Sequence, residues 1–178
     1  MPTKKKRPTP EHNPEPVPPK WNANDPMGSF HHYAESLHQK AKWMFLKDGT
    51  HVELMFIFKS SGECFLLLVK GDRDQFVIHL RDLIKRYAVI GIVHIAEAWM
   101  RIGGHGDHIT TQLIYGEMAV SDLLPADRSE ALLVGIHSND GQVVTWVEPI
   151  IRDANGKPTL GKAFNLTDMA GRYGMLFK

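Results

Sequence analysis

The chain is 178 residues long, 43% of its residues are hydrophobic, and its formal net charge is +1. These values predict one domain with a sizeable core, and they argue against a molecule-wide field that gathers nucleic acid or anionic lipid. The apolar stretches are strand-sized and none follows the basic N-terminus, so we expect a cytoplasmic protein without a membrane span or a secretory signal. Because Cys64 is the single cysteine, a disulfide framework and a cysteine-based zinc site within one chain are excluded.

The N-terminal residues differ in composition from the rest of the chain. Residues 1–20 contain seven prolines and the basic run Lys4, Lys5, Lys6 and Arg7. Such a segment buries too little apolar surface to offset its ordering entropy, so we predict a disordered tail over residues 1–28. Its basic run makes weak, non-specific binding to nucleic acid one hypothesis, and a purely solubilising tail is the alternative.

A single α+β domain is predicted over residues 29–178. Ser29 is a suitable N-cap for the first helix, and residues 47–49 (KDG) predict the turn that ends it. Asp72 is a suitable N-cap for the second helix. From Ala88 onwards the helical period gives way to an apolar, β-branched run, which is typical of a strand covered on both faces. The predicted elements up to this point are a helix at 30–46, strands at 51–59 and 63–69, a helix at 72–87 and a strand at 88–95.

Residues 101–128 have no single periodicity, and a connection of this length is either functional or mobile. Three further strands are predicted after it, at 129–138, 142–152 and 158–164. The hairpin-like turns favour a mostly antiparallel sheet. The predicted fold is therefore a two-layer α+β domain with five or six strands in the order α-β-β-α-β-β-β-β, with both helices against one face.

Two segments carry a resemblance to known proteins. Residues 96–100 (AEAWM) close the passage from the second helix into the third strand, and residues 127–134 (DRSEALLV) open the fourth strand after the long loop. This arrangement, over roughly residues 41–164, resembles a group of uncharacterised bacterial and phage-encoded proteins. The resemblance implies a prokaryotic or viral source, and it brings no activity, cofactor or substrate.

The long loop contains the strongest candidate for a metal site. His105, Asp107 and His108 lie within four residues, among the glycines of residues 103–106. Zinc, nickel or copper accepts such ligands, with a fourth ligand from His94, His51 or His137. The spacing matches no established metal motif, so a solvent-exposed polar loop without a resident cofactor is the alternative. With Glu97 as general base, these ligands define a metal-dependent hydrolase as the second functional hypothesis.

Two features of the strands are further candidate sites. His94 lies in an apolar strand, where a buried imidazole serves either as a base or as a hydrogen-bonded structural group. Glu53 and Glu63 lie on the two strands of the predicted hairpin, and as a pair they would suit acid–base chemistry. Solvent-facing carboxylates that protect the edge of a sheet are the alternative interpretation of Glu53 and Glu63.

The first functional hypothesis is a non-enzymatic binding or accessory module. Such a module recognises a protein partner through the loop at 101–128, through the exposed face of the sheet, or through both. The residues expected to form an apolar contact patch are Trp99, Met100, Ile109, Leu113 and Tyr115. The oligomeric state stays open at this point.

Overall fold

The computed structural model describes residues 15–101, 107–114, 117–167 and 176–177. Its helices are α1 (Pro26–Asp48), α2 (Arg73–Arg86) and α3 (His108–Ile114), and its strands are β1 (Leu54–Lys59), β2 (Cys64–Leu68), β3 (Val89–Met100), β4 (Ser129–Ser138), β5 (Val143–Arg152), β6 (Pro158–Leu160) and β7 (Phe164–Thr167). Two 3₁₀ turns, Val120–Asp122 and Pro125–Asp127, precede β4. Among the described helices, none has both the length and the apolar content that crossing a bilayer requires.

The described strands form an antiparallel sheet in the order β2-β1-β3-β4-β5-β6, and β7 also pairs with β5. Strand β3 lies between β1 and β4, and its first five residues are all buried. This confirms the central position that its apolar run predicts. The α+β class, the antiparallel pairing and the order of the main elements are likewise confirmed, with α3 and β7 as additions.

Helix α1 begins earlier than its sequence predicts. The carboxylate of Asp25 accepts a hydrogen bond from the backbone N–H of Gly28 at 2.9 Å, and proline occupies the first helical position. Ser29, the expected cap, instead accepts a hydrogen bond from the backbone N–H of Asn22 at 2.8 Å. The helix ends as predicted at Gly49, whose φ of 77° places it in the left-handed region.

Helix α2 begins at the predicted cap. One carboxylate oxygen of Asp72 accepts hydrogen bonds from the backbone N–H groups of Asp74 and Gln75, at 2.8 and 3.1 Å. These bonds satisfy two of the donors that a helix leaves unpaired at its start. The chain then leaves α2 through Ala88, at φ 48°, and enters β3 directly.

The two long helices pack on opposite faces of the sheet. Phe30 and Phe45 of α1 belong to one buried cluster with Val93 of β3, whereas Leu80 of α2 belongs to a second cluster with Ile92. Because neighbouring strand residues point to opposite faces, these clusters lie on the two sides of one sheet. The two-layer arrangement with both helices on one face was therefore wrong. Both faces of β1 and β3 are apolar, so each face requires its own cover.

Candidate functional site

The predicted metal ligands are only partly described, since His105 lies outside the described residues. The carboxylate of Asp107 forms an ion pair with the guanidinium of Arg101, with 2.7 Å between Nη2 and Oδ2. It also accepts a hydrogen bond from the backbone N–H of Ile109 at 3.3 Å. His108 is the exposed first residue of α3. Over the described ranges, no three histidine, cysteine or acidic side chains come close enough to hold a metal ion. The metal site stays a prediction.

Glu97, the predicted general base of the hydrolase hypothesis, has a local partner. Its carboxylate accepts a hydrogen bond from the backbone N–H of His51. That contact ties the segment before β1 to β3, so it gives the carboxylate a structural role. The residues of the basic run, Lys4 to Arg7, lie outside the described part of the chain.

The predicted apolar contact patch is also only partly described. Trp99 is exposed, and the guanidinium of Arg128 lies 4.2 Å from the centre of its ring. Met100, Ile109 and Leu113 are half-buried, and Tyr115 lies outside the described residues. The cation–π contact covers part of the indole face. The patch as a whole stays a prediction.

An open cleft of about 610 Å³ lies beside helix α1 and is lined by described residues. We call residues 15–20, which form one wall of this cleft, the strap. The lining comprises Pro16, Val17 and Pro19 from the strap, His32, Glu35, Ser36, His38 and Gln39 from α1, and Trp146 from β5. Residues 32, 35, 36 and 39 recur at three- and four-residue spacing, so they share one face of the helix. The cleft therefore lies between that face and the strap.

Two polar contacts tie the strap to α1. The hydroxyl of Ser36 donates to the backbone carbonyl of Val17 at 3.5 Å, and the ammonium group of Lys40 pairs with the carboxylate of Glu15. The Lys40 ammonium group also lies 4.4 Å from the centre of the Trp43 ring. The pairing with Lys40 lowers the pKa of Glu15, so this carboxylate is charged at neutral pH.

A buried carboxylate lies next to the cleft. Glu148 of β5 is 1% exposed, and its Oε1 atom accepts from Nε2 of His38 and from the ammonium group of Lys42, both at 2.8 Å. The positive charge of Lys42 offsets the charge of the carboxylate. Burial lowers the pKa of His38, although the hydrogen bond to Glu148 opposes this effect. At neutral pH the imidazole is therefore neutral and donates to Glu148 through Nε2.

This cluster also positions an aromatic surface. The imidazole of His38 is stacked on the indole of Trp146, with 4.5 Å between the ring centres and 6° between the planes. Since Glu148 holds the imidazole from its edge, the orientation of both rings is determined by contacts within the core. Ser36 lies two residues from His38 on the helix and so faces another direction, which excludes a serine–histidine–carboxylate triad here.

A second polar cluster lies on the other face of the sheet. The two carboxylate oxygens of Glu53 contact Nε2 of His94 at 2.9 Å and the guanidinium of Arg73 at 2.7 Å. His137 lies on the neighbouring strand, and burial together with the charge of His94 lowers its pKa to about 4. Glu63 is at the other end of the hairpin, where it pairs with Lys59. Glu53 and Glu63 therefore do not form a pair for acid–base chemistry.

Strand β2 presents apolar side chains at the edge of the sheet. Within the described residues it pairs only with β1. Phe65, Leu66 and Leu68 are 37%, 56% and 54% exposed, and Cys64 is exposed as well. No proline and no charged residue interrupts the run from Cys64 to Val69. Within the described part of the chain, no charge, proline or further strand protects this edge from pairing.

Sequence reasoning missed the cluster around Glu148. Each sequence feature that points to this cluster is weak by itself. His38 and Lys42 are four residues apart on one face of α1, and Glu148 is the one acidic residue of the largely apolar strand β5. The partners are 110 residues apart in the chain, so local periodicity cannot bring them together. Only the placement of α1 over β5 does so.

Comparison with known proteins identifies a family but no activity. The family model described as bacteriophage lambda protein ea47 matches residues 17–171, which include every described strand and all three helices. No curated protein and no solved structure matches the chain. The match confirms the resemblance to uncharacterised phage-encoded proteins, and the chain therefore belongs to the bacteriophage lambda Ea47 family, a family of phage proteins without a characterised activity.

Proposed function

We propose that this protein is a non-enzymatic binding module that acts in the bacterial cytoplasm and recognises a protein partner through the free edge of β2. The observation that carries the proposal is the exposure of Phe65, Leu66 and Leu68 on a strand that pairs on one side only, within the described residues. An extended segment of a partner adds to such an edge by main-chain hydrogen bonds, while alternate side chains provide specificity.

The composition of β2 supports this role. Its residues CFLLL are apolar and uncharged, so no charged side chain in the strand opposes pairing with another strand. Leu66 and Leu68 share one face of the sheet with Phe56 of the neighbouring strand β1. Covering these exposed leucines contributes on the order of 1 kcal/mol each, since roughly half of each side chain is already buried.

The test compares charged substitutions at the edge with the same substitution elsewhere. Tagged full-length protein, L66K, L68K and the control I151K are incubated with nuclease-treated bacterial lysate, and captured proteins are identified by mass spectrometry. Ile151 is a suitable control because it is 57% exposed on a strand at the other side of the sheet. We expect one stoichiometric partner that I151K retains and that both edge variants lose by at least about tenfold.

The captured partner is then purified and titrated against the same four proteins by isothermal calorimetry. A partner that binds L66K and L68K as tightly as the unsubstituted chain excludes the edge of β2 as its site. Light scattering of the purified chain identifies the case in which the partner is a second copy. A strictly monomeric chain that captures nothing contradicts the proposal.

A further inference from the structure

A second surface, separate from the β2 edge, carries an independent inference. We propose that the cleft between the strap and α1 is a binding site for a proline-rich segment of another protein, in which an acidic residue precedes the prolines. The argument rests on the chemistry of the strap itself, which lies against this cleft in the folded chain. Its sequence is EPVPPK, and residues 15–22 belong to no helix and no strand.

Each contact that such a segment needs is present for the strap. A polyproline segment has no internal hydrogen bonds, so its carbonyl groups are open to donors on a partner. The Ser36 hydroxyl donates to the carbonyl of Val17, and the ammonium group of Lys40 pairs with the acidic Glu15 that precedes the prolines. Trp146 supplies the aromatic surface on which grooves for proline-rich segments are built.

The strap lines the cleft without filling it. Val17 is 83% exposed, and the cleft of about 610 Å³ stays open between the strap and the helix. That volume lies in the range of roughly 300–1,000 Å³ typical of ligand sites. A segment from another chain that displaces the strap can extend into this space, which the strap and Trp146 line but do not fill.

The floor of the cleft is rigid before any ligand arrives. The Trp146 indole is stacked on the His38 imidazole, which is fixed by the buried carboxylate of Glu148. A preorganised aromatic surface lowers the entropic cost of binding. The buried polar cluster thus positions the ring that the ligand contacts.

The test uses a synthetic, fluorescently labelled peptide with the sequence EPVPPK and full-length protein throughout. In one variant the strap is weakened by E15Q, P16S and P19S together, which leaves α1 and β5 unchanged. Fluorescence anisotropy measures the affinity of the peptide for this strap variant and for the unsubstituted chain. Since the strap competes at millimolar effective concentration, we expect binding to the strap variant to be at least about tenfold tighter.

Two further measurements separate recognition from non-specific contact. A peptide with alanine in place of its three prolines is expected to bind the strap variant at least about tenfold more weakly, because it loses the preformed extended conformation. In the strap variant, K40E is expected to weaken the EPVPPK peptide and to favour a peptide that starts with lysine. Because Lys40 is partly exposed, K40E is expected to fold, so the charge reversal reports on binding.

Three results would overturn the inference: no saturable binding to the strap variant, equal affinity for the alanine peptide, or no response to the charge reversal. The edge variants L66K and L68K are expected to bind the peptide like their parent. The failure of this inference is therefore distinguishable from the failure of the proposed function.

Discussion

At the scale of single residues, Glu148 is the most demanding position in the described core. Its carboxylate is taken out of water, and its attraction to Lys42 and its hydrogen bond from His38 offset the cost. Removal of Lys42 would leave the charge of Glu148 buried without compensation, and removal of Glu148 would leave the buried imidazole of His38 without its acceptor. The cluster is therefore sensitive to substitution at either position.

The substitution E148A is expected to lower the free energy of unfolding by about 3 kcal/mol, because the buried imidazole of His38 loses its hydrogen-bond acceptor and the deleted side chain leaves a cavity. Urea unfolding followed by tryptophan fluorescence measures the change. The control is E130A, which removes a partly exposed pair with Arg152 and is expected to cost about 1 kcal/mol or less. Equal losses in the two variants would show that Glu148 is not compensated in the way described.

The lowered pKa of His137 predicts how the free energy of unfolding depends on pH. Its folded-state pKa is about 4, whereas an unfolded histidine titrates near 6.5. Between these values the unfolded chain binds more protons than the folded chain, so the free energy of unfolding decreases as the pH falls from 6.5 to 4. The difference corresponds to roughly 3 kcal/mol. The lowered pKa of His38 acts in the same direction.

Urea titrations at pH 7, 5.5 and 4 check this prediction. The variant H137Q is expected to lose less stability over this range than the unsubstituted chain, because glutamine does not titrate. Below pH 4 the contribution of His137 levels off, since both states are then protonated. Indistinguishable pH profiles for the two proteins would contradict the assignment.

At the scale of elements, Gly91 determines how closely α1 approaches β3. A Cβ atom at this position would overlap the ring of Phe30, which is fully buried beneath the helix. Gly135 on β4 is a different case, since the nearest atoms to its added Cβ would be 3.6 Å away. One glycine is therefore required by close packing, and the other is not.

The substitution G91A is expected to cost about 1–3 kcal/mol of stability, because it overfills the contact between α1 and the sheet. The change G135A is expected to be nearly neutral and serves as the control. In the double variant G91A/F30L, the smaller leucine relieves the overlap, so the combined loss is expected to be less than the sum of the single losses. Strict additivity, measured by urea unfolding, would contradict this account of the packing.

At the scale of the whole molecule, one sheet has a hydrophobic core on each face and carries the two proposed binding surfaces at different strands. The edge strand β2 and the strand β5, which supplies Trp146, are separated in the sheet by β1, β3 and β4. A ligand in the cleft and a strand at the edge can therefore be bound at the same time.

Local chemistry in the sequence determined much of the fold. The Asp72 cap, the glycine that ends α1 and the apolar run of β3 each act within a few residues, and each is observed where it was predicted. The cap of α1 is the exception, because Asp25 and Ser29 both have suitable side chains. Proline at the first helical position favours Asp25, whose side chain then completes the helix start.

Only the tertiary structure decided which groups meet. Periodicity assigns a residue to a face of its own element, but it does not identify the element that covers that face. The pairing of Glu53 with His94 spans 41 residues, and that of His38 with Glu148 spans 110, so each depends on strand register and helix placement. For the same reason, the apolar β2 gave no sign in the sequence that it lies exposed at an edge. Local sequence patterns thus determine where helices and strands form, and long-range packing determines which residues meet at the candidate sites.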